Sequence, residues 1–195
     1  VGMILPGGCQ WMTAGSGILH QEMPQASPRM LGLQLWLNLP AEGKMTAPKY
    51  RDITAEQVPV ITGEGAQVRV VASAHQGLPG GASGDFVPLT LLDITLEPGA
   101  EYQWETSEDA TLFAYIFEGD GRFGAQEHAI PAKHALLTGP GERFRFTAGD
   151  QGLRLVLCES EALKEPIAWG GPIVMNTKEE LRRAFEELEE GTFIK

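Results

Sequence analysis

His20 and Glu22 are the two residues whose types and spacing could hold a metal ion, and they lie in the run GILHQE at 17–22. On a β-strand, residues at positions i and i+2 point to the same face, so both side chains could reach one cation. Imidazole plus carboxylate suits iron, manganese, nickel or zinc, and open coordination positions would make such a site catalytic. The spacing alone does not establish a metal site, because a histidine two residues from a glutamate is frequent by chance.

The other candidate ligands and nucleophiles have no partners close by in the sequence. His75, His128 and His134 stand beside glycines, charged residues or a proline turn and are interpreted as surface or turn residues. Cys9 and Cys158 are far apart, which favours two reduced thiols over a disulfide, and no base accompanies Cys9 to make it a nucleophile. The sequence contains neither a phosphate-binding loop nor a dinucleotide-binding fingerprint.

Composition restricts the class of protein further. Apolar residues make up 43% of the 195 residues, which is enough for a hydrophobic core, and 24 glycines and 13 prolines favour many turns over a helical bundle. The formal net charge of −11 opposes direct binding to nucleic acid. With no apolar run of 18 residues and no signal-peptide pattern at residues 1–8, we expect a cytoplasmic protein with no membrane partner.

The hydrophobic pattern predicts strands along most of the chain. Residues 31–39 read LGLQLWLNL, and this strict alternation of leucines predicts a strand, as does the shorter run at 10–14. Residues 41–59 are polar and punctuated by proline, which we interpret as a surface linker. Beyond residue 66, short strand-forming runs between Gly- and Pro-rich turns predict a sandwich or barrel. The runs are 67–74, 87–96, 101–104, 111–118, 122–123, 135–138, 143–147 and 154–158, and the turns include 97–99, 118–121 and 139–141.

One helix is predicted near the end of the chain. Thr177 and Glu180 have the spacing of a capping box, and Gly191 supplies a stop signal. Between them, apolar residues recur at helical spacing and form a stripe that we expect to dock the helix on a barrel. The stripe consists of Leu181, Ala184, Phe185 and Leu188.

Several runs at the two ends of the chain carry a family resemblance. They are QWMTAGSGILHQEMP at 10–24, GLQLWLNLP at 32–40, KM at 44–45, PKY at 48–50, EPI at 165–167, GPIVMNT at 171–177 and GTF at 191–193. In this order and at these separations they resemble the pirin family of bicupins, which have two cupin barrels in tandem. The resemblance covers essentially the whole chain and implies an all-β fold of cupin-type antiparallel barrels with one C-terminal helix.

The resemblance implies a metal site that is incomplete in this chain. The N-terminal barrel of pirin-like proteins holds one divalent transition metal with three histidines and one glutamate, and His20 and Glu22 match the second pair of these ligands. The first pair, an HxH, would precede Val1, so the chain resembles a pirin lacking roughly its N-terminal third. Iron is the metal expected first, with nickel, manganese, zinc and copper as alternatives.

The resemblance also implies a division of the chain into three parts. Residues 1–60 would be the closing part of the first, metal-type barrel plus a linker, 61–165 a complete second barrel, and 166–195 a C-terminal segment whose helix packs back on the first barrel. Cupins place an HxH shortly after a Pro-Gly turn, but residues 102–106, which follow the turn at 97–99, contain no histidine, so the second barrel is expected to be metal-free. Its interior would be filled by Trp104, Phe113 and Phe117.

Two functions follow from the resemblance. Pirin-like proteins are associated with quercetinase activity, so the parent protein is expected to be a dioxygenase acting on flavonols, with Glu22 as metal ligand and as the base that takes the hydroxyl proton. This chain alone is expected to be inactive. The alternative is a non-catalytic, metal-dependent regulatory protein that binds a transcription factor or a metabolic enzyme. In either case, unpaired strand edges at 10–40 predict a homo-oligomer formed by strand pairing.

Overall fold

The computed structural model describes residues 2–73 and 77–195, and the chain divides into two compact units. Unit 1 contains the residues up to Trp11 together with Arg51–Ala162, and unit 2 contains Met12–Tyr50 and Leu163–Lys195. Strands β1 (Cys9–Thr13) and β2 (Lys49–Ile53) form a two-stranded sheet, and the boundary between the units falls within both strands. The surface position predicted for His75 lies outside the described residues.

Unit 1 is dominated by one antiparallel sheet, in which eight strands are described. The strands are β3 (Val60–Gly63), β4 (Ala66–Ala72), β5 (Thr90–Leu96), β6 (Glu101–Glu105), β7 (Ala110–Phe123), β8 (His128–Pro131), β9 (Ala135–Leu137) and β10 (Arg143–Glu161). Their order is β3-β4-β5-β10-β7-β8, while β6 also pairs with β10 and β9 with β7. The long strands β7 and β10 therefore each pair with several neighbours, which confirms the predicted all-β class.

The predicted turn at 118–121 is wrong, because these residues lie inside β7. Gly119 has a φ of 75° and marks a β-bulge, where the register of β7 against β10 shifts. A Cβ on Gly119 would lie 2.0 Å from the carbonyl oxygen of Gly152 in β10, so the two backbones approach too closely for any side chain. A bulge and a turn both need a residue that tolerates positive φ, and the local sequence does not distinguish them.

The bulge also decides which aromatic side chains fill the core of unit 1. Before it, alternate residues of β7 from Leu112 to Ile116 are buried; after it the phase changes and Phe123 is buried. Phe123 stacks on two aromatic rings of β10, with centroid distances of 6.2 Å to Phe144 and 5.6 Å to Phe146. Each such side chain contributes roughly 1.5–3 kcal/mol through burial of apolar surface.

Of the three aromatic side chains predicted to lie in an apolar interior, Trp104 is buried, whereas the prediction is wrong for two phenylalanines. Trp104 is 4% exposed and belongs to the apolar cluster of this sheet. Phe113 and Phe117 are half-buried, since they occupy the alternate positions of β7 that point away from the cluster. The prediction chose them by their size and did not follow the period of two along the strand.

Unit 2 contains the predicted helix, α1 (Lys178–Glu190), and a short hairpin of β11 (Ala168–Gly170) and β12 (Ile173–Met175). The capping box is confirmed: Thr177 Oγ1 accepts a hydrogen bond from the Glu180 amide, and the Glu180 carboxylate accepts one from the Thr177 amide at 2.8 Å. Gly191 ends the helix in the left-handed conformation, with a φ of 72°. The apolar stripe packs against the hairpin, where Leu181 and Phe185 lie over Gly170.

Two predictions about the N-terminal part of the chain are wrong. Residues 31–39 form no strand, although their alternation is strict, because the described chain provides no neighbouring strand to pair with them. Residues 41–59 are structured, since they contain β2 and two short 3-10 helices, Ala41–Gly43 and Ala55–Gln57. Three side chains of this supposed linker are buried, namely those of Lys44, Ile53 and Val58.

Among the helices of the described ranges, none has the length and apolar character needed to cross a membrane.

Candidate functional site

His20 and Glu22 lie in unit 2 on an irregular segment, and both side chains are exposed. The strand geometry that would place them on one face is therefore not formed here. The Glu22 carboxylate has a local partner, because Gln34 Nε2 donates a hydrogen bond to Glu22 Oε1 at 3.1 Å. This contact joins the HxE segment to the leucine-rich segment at 31–39.

The turn that precedes His20 is held tightly by other parts of unit 2. The Gly17 amide donates to the Ala14 carbonyl at 3.0 Å, and the Ser16 amide donates to the Thr46 carbonyl at 2.8 Å. Gly17 has a φ of 129°, and the ring of Phe193 from the end of the chain occupies the space where a Cβ would lie. The start of the HxE segment is thus fixed, while its tip is solvent-exposed.

A buried lysine lies near this turn. Lys44 is 6% exposed, and its Nζ donates a hydrogen bond to Asn38 Oδ1 at 2.8 Å. Burial lowers the pKa of the Lys44 ammonium, and the negative charges of Glu165 and Glu180 partly oppose that shift. Sequence reasoning missed Lys44, since a lysine in a polar stretch gives no sign that it is buried.

Glu165 connects the two stretches of chain that make up unit 2. Its Oε2 accepts hydrogen bonds from the Ala41 amide at 2.8 Å and from Asn176 Nδ2 at 2.9 Å. These bonds are charge-assisted, so they are stronger than bonds between neutral groups. They fix the short 3-10 helix that precedes Lys44 against the residues that begin α1.

The donor set does not by itself fit a catalytic metal ion. Such sites use three or more protein ligands with one position left open. Within residues 2–73 and 77–195, no group of three or more His, Cys, Asp or Glu side chains could hold a metal. His20 and Glu22 therefore provide two ligands at most, and a complete site requires donors from beyond the described residues.

The remaining candidates from the sequence are not brought together. His128 is exposed at the start of β8, and exposed His134 lies in the turn before β9, with its Nδ1 3.1 Å from the Ala132 carbonyl oxygen. Cys9 and Cys158 are both free thiols. Burial raises the pKa of both, to about 12 for Cys158, so neither thiol has the depressed pKa of a nucleophile.

A polar pair at the apolar core of unit 1 was missed by the sequence analysis. The indole Nε1 of Trp104 donates a hydrogen bond to Glu159 Oε2. Glu159 follows buried Leu155 and Leu157 at a spacing of two along β10, so the period of the strand could have placed it on the inward face. The bond satisfies the indole N–H of a tryptophan that is otherwise surrounded by apolar side chains.

Comparison with solved structures defines the class of protein. The chain superposes on a crystal structure titled quercetin 2,3-dioxygenase from Acinetobacter baumannii with a TM-score of 0.82 and 29% sequence identity, over 98% of this chain and 68% of that one. The antiparallel sheet of unit 1 is of the cupin type, because a cupin-domain family description matches most of its strands. The family described as "Pirin C-terminal cupin domain" matches residues 91–194, and the family described as "Pirin" matches residues 1–37.

The chain belongs to the pirin family. It is 38% identical over 194 residues to a pirin-like protein of Solanum lycopersicum, and 39% identical over 190 residues to Pirin-1 of Arabidopsis thaliana. These matches cover 97% and 95% of this chain and 66% of each relative. The chain thus spans about two thirds of the length of these relatives. The resemblance seen in the sequence is confirmed.

Proposed function

We propose that this chain acts in flavonol oxidation, as part of a quercetinase-type dioxygenase of the pirin family. The observation that supports this proposal is the likeness to the structure titled quercetin 2,3-dioxygenase, which extends over 98% of the chain. The HxE pair falls within residues 1–37, the part that matches the pirin family description. In this proposal the substrate is a flavonol-like small molecule and the co-substrate is dioxygen.

His20 and Glu22 are assigned as two ligands of one divalent transition metal, with iron as the first candidate. Because two donors bind such an ion only weakly in competition with water, a tight site needs further ligands from another stretch of polypeptide. The chain by itself is therefore expected to be inactive. The exposure of both side chains supports this assignment, since it leaves them accessible to such donors.

Glu22 is also assigned as the base that accepts the hydroxyl proton of the flavonol. Gln34 donates to Oε1, so Oε2 is the oxygen we assign to the proton. The hydrogen bond from Gln34 restricts the rotation of the Glu22 carboxylate. Replacing Gln34 by leucine would remove this restriction and leave the carboxylate itself in place.

The first experiment measures metal and flavonol binding by the full chain. After dialysis against a weak chelator, elemental mass spectrometry is expected to find well under one metal ion per chain. Titration with Co²⁺ is then expected to show weak binding that His20→Ala and Glu22→Gln each reduce at least tenfold. His134→Ala is the matched control, because it removes another exposed histidine outside the pair, and it should bind Co²⁺ as the unmodified chain does.

The second part of the experiment measures quercetin binding from changes in the visible absorption band of quercetin, with and without saturating Fe²⁺. We expect Fe²⁺-dependent binding of quercetin that His20→Ala abolishes, and no consumption of dioxygen by the chain alone. Quercetin binding that is independent of both Fe²⁺ and His20 would contradict the proposed function. Near-stoichiometric metal after dialysis, or steady quercetin turnover, would contradict the claim that the metal site of this chain is incomplete. Cobalt binding through the pair without any quercetin binding would favour the non-catalytic, metal-dependent role instead.

A further inference from the structure

The buried ammonium group of Lys44 is costly for unit 2 to keep. Lys44 is the only charged residue that the described part of the chain buries. An ammonium group has three N–H donors, and among the described residues the acceptor of Lys44 Nζ is Asn38 Oδ1 alone, at 2.8 Å. A buried charge with a single hydrogen bond disfavours folding, and an apolar side chain of similar length would avoid that cost. A contribution to overall stability therefore does not explain this lysine.

The two carboxylates whose charges act on Lys44 are engaged by other donors. Glu165 Oε2 accepts hydrogen bonds from the Ala41 amide and from Asn176 Nδ2. The Glu180 carboxylate accepts hydrogen bonds in the cap of α1. Both carboxylates would keep these donors if an apolar residue replaced Lys44, so the replacement would leave neither of them without a partner.

The hydrogen bond of Lys44 fixes one end of a short stretch whose other end contacts the HxE segment. Asn38 follows Gln34 by four residues, and Gln34 Nε2 donates to Glu22 Oε1 at 3.1 Å. Residues 34–38 belong to no helix or strand, so no ladder of backbone hydrogen bonds holds them in place. The position of Gln34 therefore depends on the side-chain bond at Asn38.

We propose that Lys44 is a positioning residue for the HxE segment: through Asn38 it holds residues 34–38 where Gln34 meets the Glu22 carboxylate. A buried polar group that lowers stability and specifies one local arrangement has precedents in other proteins. The role of Glu22 rests on the proposed function, whereas the ordering of residues 34–38 is independent of it. Removing a side chain that orients a metal ligand typically weakens metal binding ten- to a hundredfold. Because Lys44 acts one step further away, we expect a loss of roughly three- to tenfold.

The first test compares the stability and the local order of Lys44→Met with those of the unmodified full chain. Methionine keeps an unbranched apolar stem and removes the ammonium group, so Tm should stay equal or rise. The backbone order parameters of residues 34–38 from ¹⁵N relaxation should nevertheless fall toward about 0.6, the value of a flexible backbone. A merely structural lysine would instead lower Tm together with the local order. Lys178→Met is the matched control, because it removes an exposed lysine of unit 2 and should leave these order parameters unchanged.

Two substitutions of Asn38 test the same hydrogen bond from its other side, and they remain informative if Lys44→Met does not fold. Asn38→Asp keeps an acceptor for Lys44 and should preserve the order of residues 34–38. Asn38→Leu removes the acceptor and should loosen these residues. It should also lower Tm, because the ammonium group stays buried without a partner. Asn38 is half-buried, so both side chains can be accommodated.

The last test measures whether Lys44 acts through Gln34, by titrating the full chain with Co²⁺. Lys44→Met should weaken Co²⁺ binding three- to tenfold and should add little to the effect of Gln34→Leu, because both changes affect the same contact. Additive effects of these two substitutions would overturn the proposal, as would unchanged order parameters in both Lys44→Met and Asn38→Leu. If the order parameters fall as expected but Co²⁺ binding is also unaffected by His20→Ala, the ligand assignment of the proposed function fails and the positioning role of Lys44 is supported.

Discussion

Gly119→Ala should be among the most damaging single-methyl changes in unit 1. The residue has a φ of 75°, and keeping this left-handed backbone conformation costs about 1–2 kcal/mol for a residue with a Cβ. In addition, the new Cβ would lie 2.0 Å from the carbonyl oxygen of Gly152, so β7 and β10 would have to separate by more than an ångström. Forcing atoms into a packed site costs a further 1–3 kcal/mol or so. The sum is a loss of about 3 kcal/mol in the free energy of unfolding.

The assay is thermal and urea unfolding followed by circular dichroism in the strand region. For a chain of this length, a loss of about 3 kcal/mol lowers Tm by roughly 6–12 °C. Gly63→Ala is the control, since Gly63 lies in β3 of the same sheet and a Cβ there would meet nothing within 4 Å. That variant should be neutral or slightly stabilising. A Gly119→Ala protein within 1 kcal/mol of the unmodified chain would refute the close approach of β7 and β10 at the bulge.

Two smaller predictions concern the cap of α1 and the cysteines. Thr177→Ala removes the hydrogen bond that the Glu180 amide donates, and should cost about 1 kcal/mol in denaturant unfolding, whereas Thr177→Ser should keep the cap and cost little. A thiol-modifying reagent added to the native protein at pH 8.5 should modify Cys9 before Cys158, and full modification of Cys158 should require denaturant. Burial raises the pKa of Cys158 from 9.0 to about 12. As pH rises, the Cys158 thiol therefore loses its proton at a lower pH in the unfolded state than in the folded state. Stability should therefore fall as pH rises above 9, and Cys158→Ala should reduce that slope. Equal labelling of both thiols in the native protein would be inconsistent with this burial.

The parts of the fold that were predicted correctly depend on local signals. The capping box at Thr177, the stop at Gly191 and the turn at 97–99 are set by residues within a few positions of one another, so the sequence alone is sufficient. The family assignment needed no geometry, since it rests on runs of identical residues. Strands with a clear period of two were found wherever a neighbouring strand exists.

The errors arise where the outcome depends on distant residues. The alternation at 31–39 is as regular as any in the chain, but a strand also needs a ladder partner, which local sequence does not provide. The glycines around 118–121 predicted a turn because the close approach of Gly152, 33 positions beyond Gly119, is a property of the folded sheet. The burial of Lys44 likewise depends on how 163–195 folds against 38–46 within unit 2.

For the candidate site, too, the features set by local sequence were predictable and the contacts with distant residues were not. His20 and Glu22 could be selected by residue type and spacing, but whether a third donor approaches them is a tertiary question. Glu159 could have been found, because following the alternation of β10 past Leu157 places it on the inward face. Its indole partner Trp104 lies 55 positions away and was recognised only as a filler of the core.

The length and late position of β10 have a consequence for how the protein acquires its structure. This strand of 19 residues pairs with β5, β6 and β7, all of which precede it in the chain. During synthesis, therefore, the earlier strands cannot complete their ladders until Glu161 has left the ribosome. Such high contact order slows folding to milliseconds or seconds and leaves unpaired edges exposed meanwhile. A ribosome stalled before residue 143 should hold a chain that proteases cleave readily, and one stalled well beyond residue 161 should hold a protected sheet.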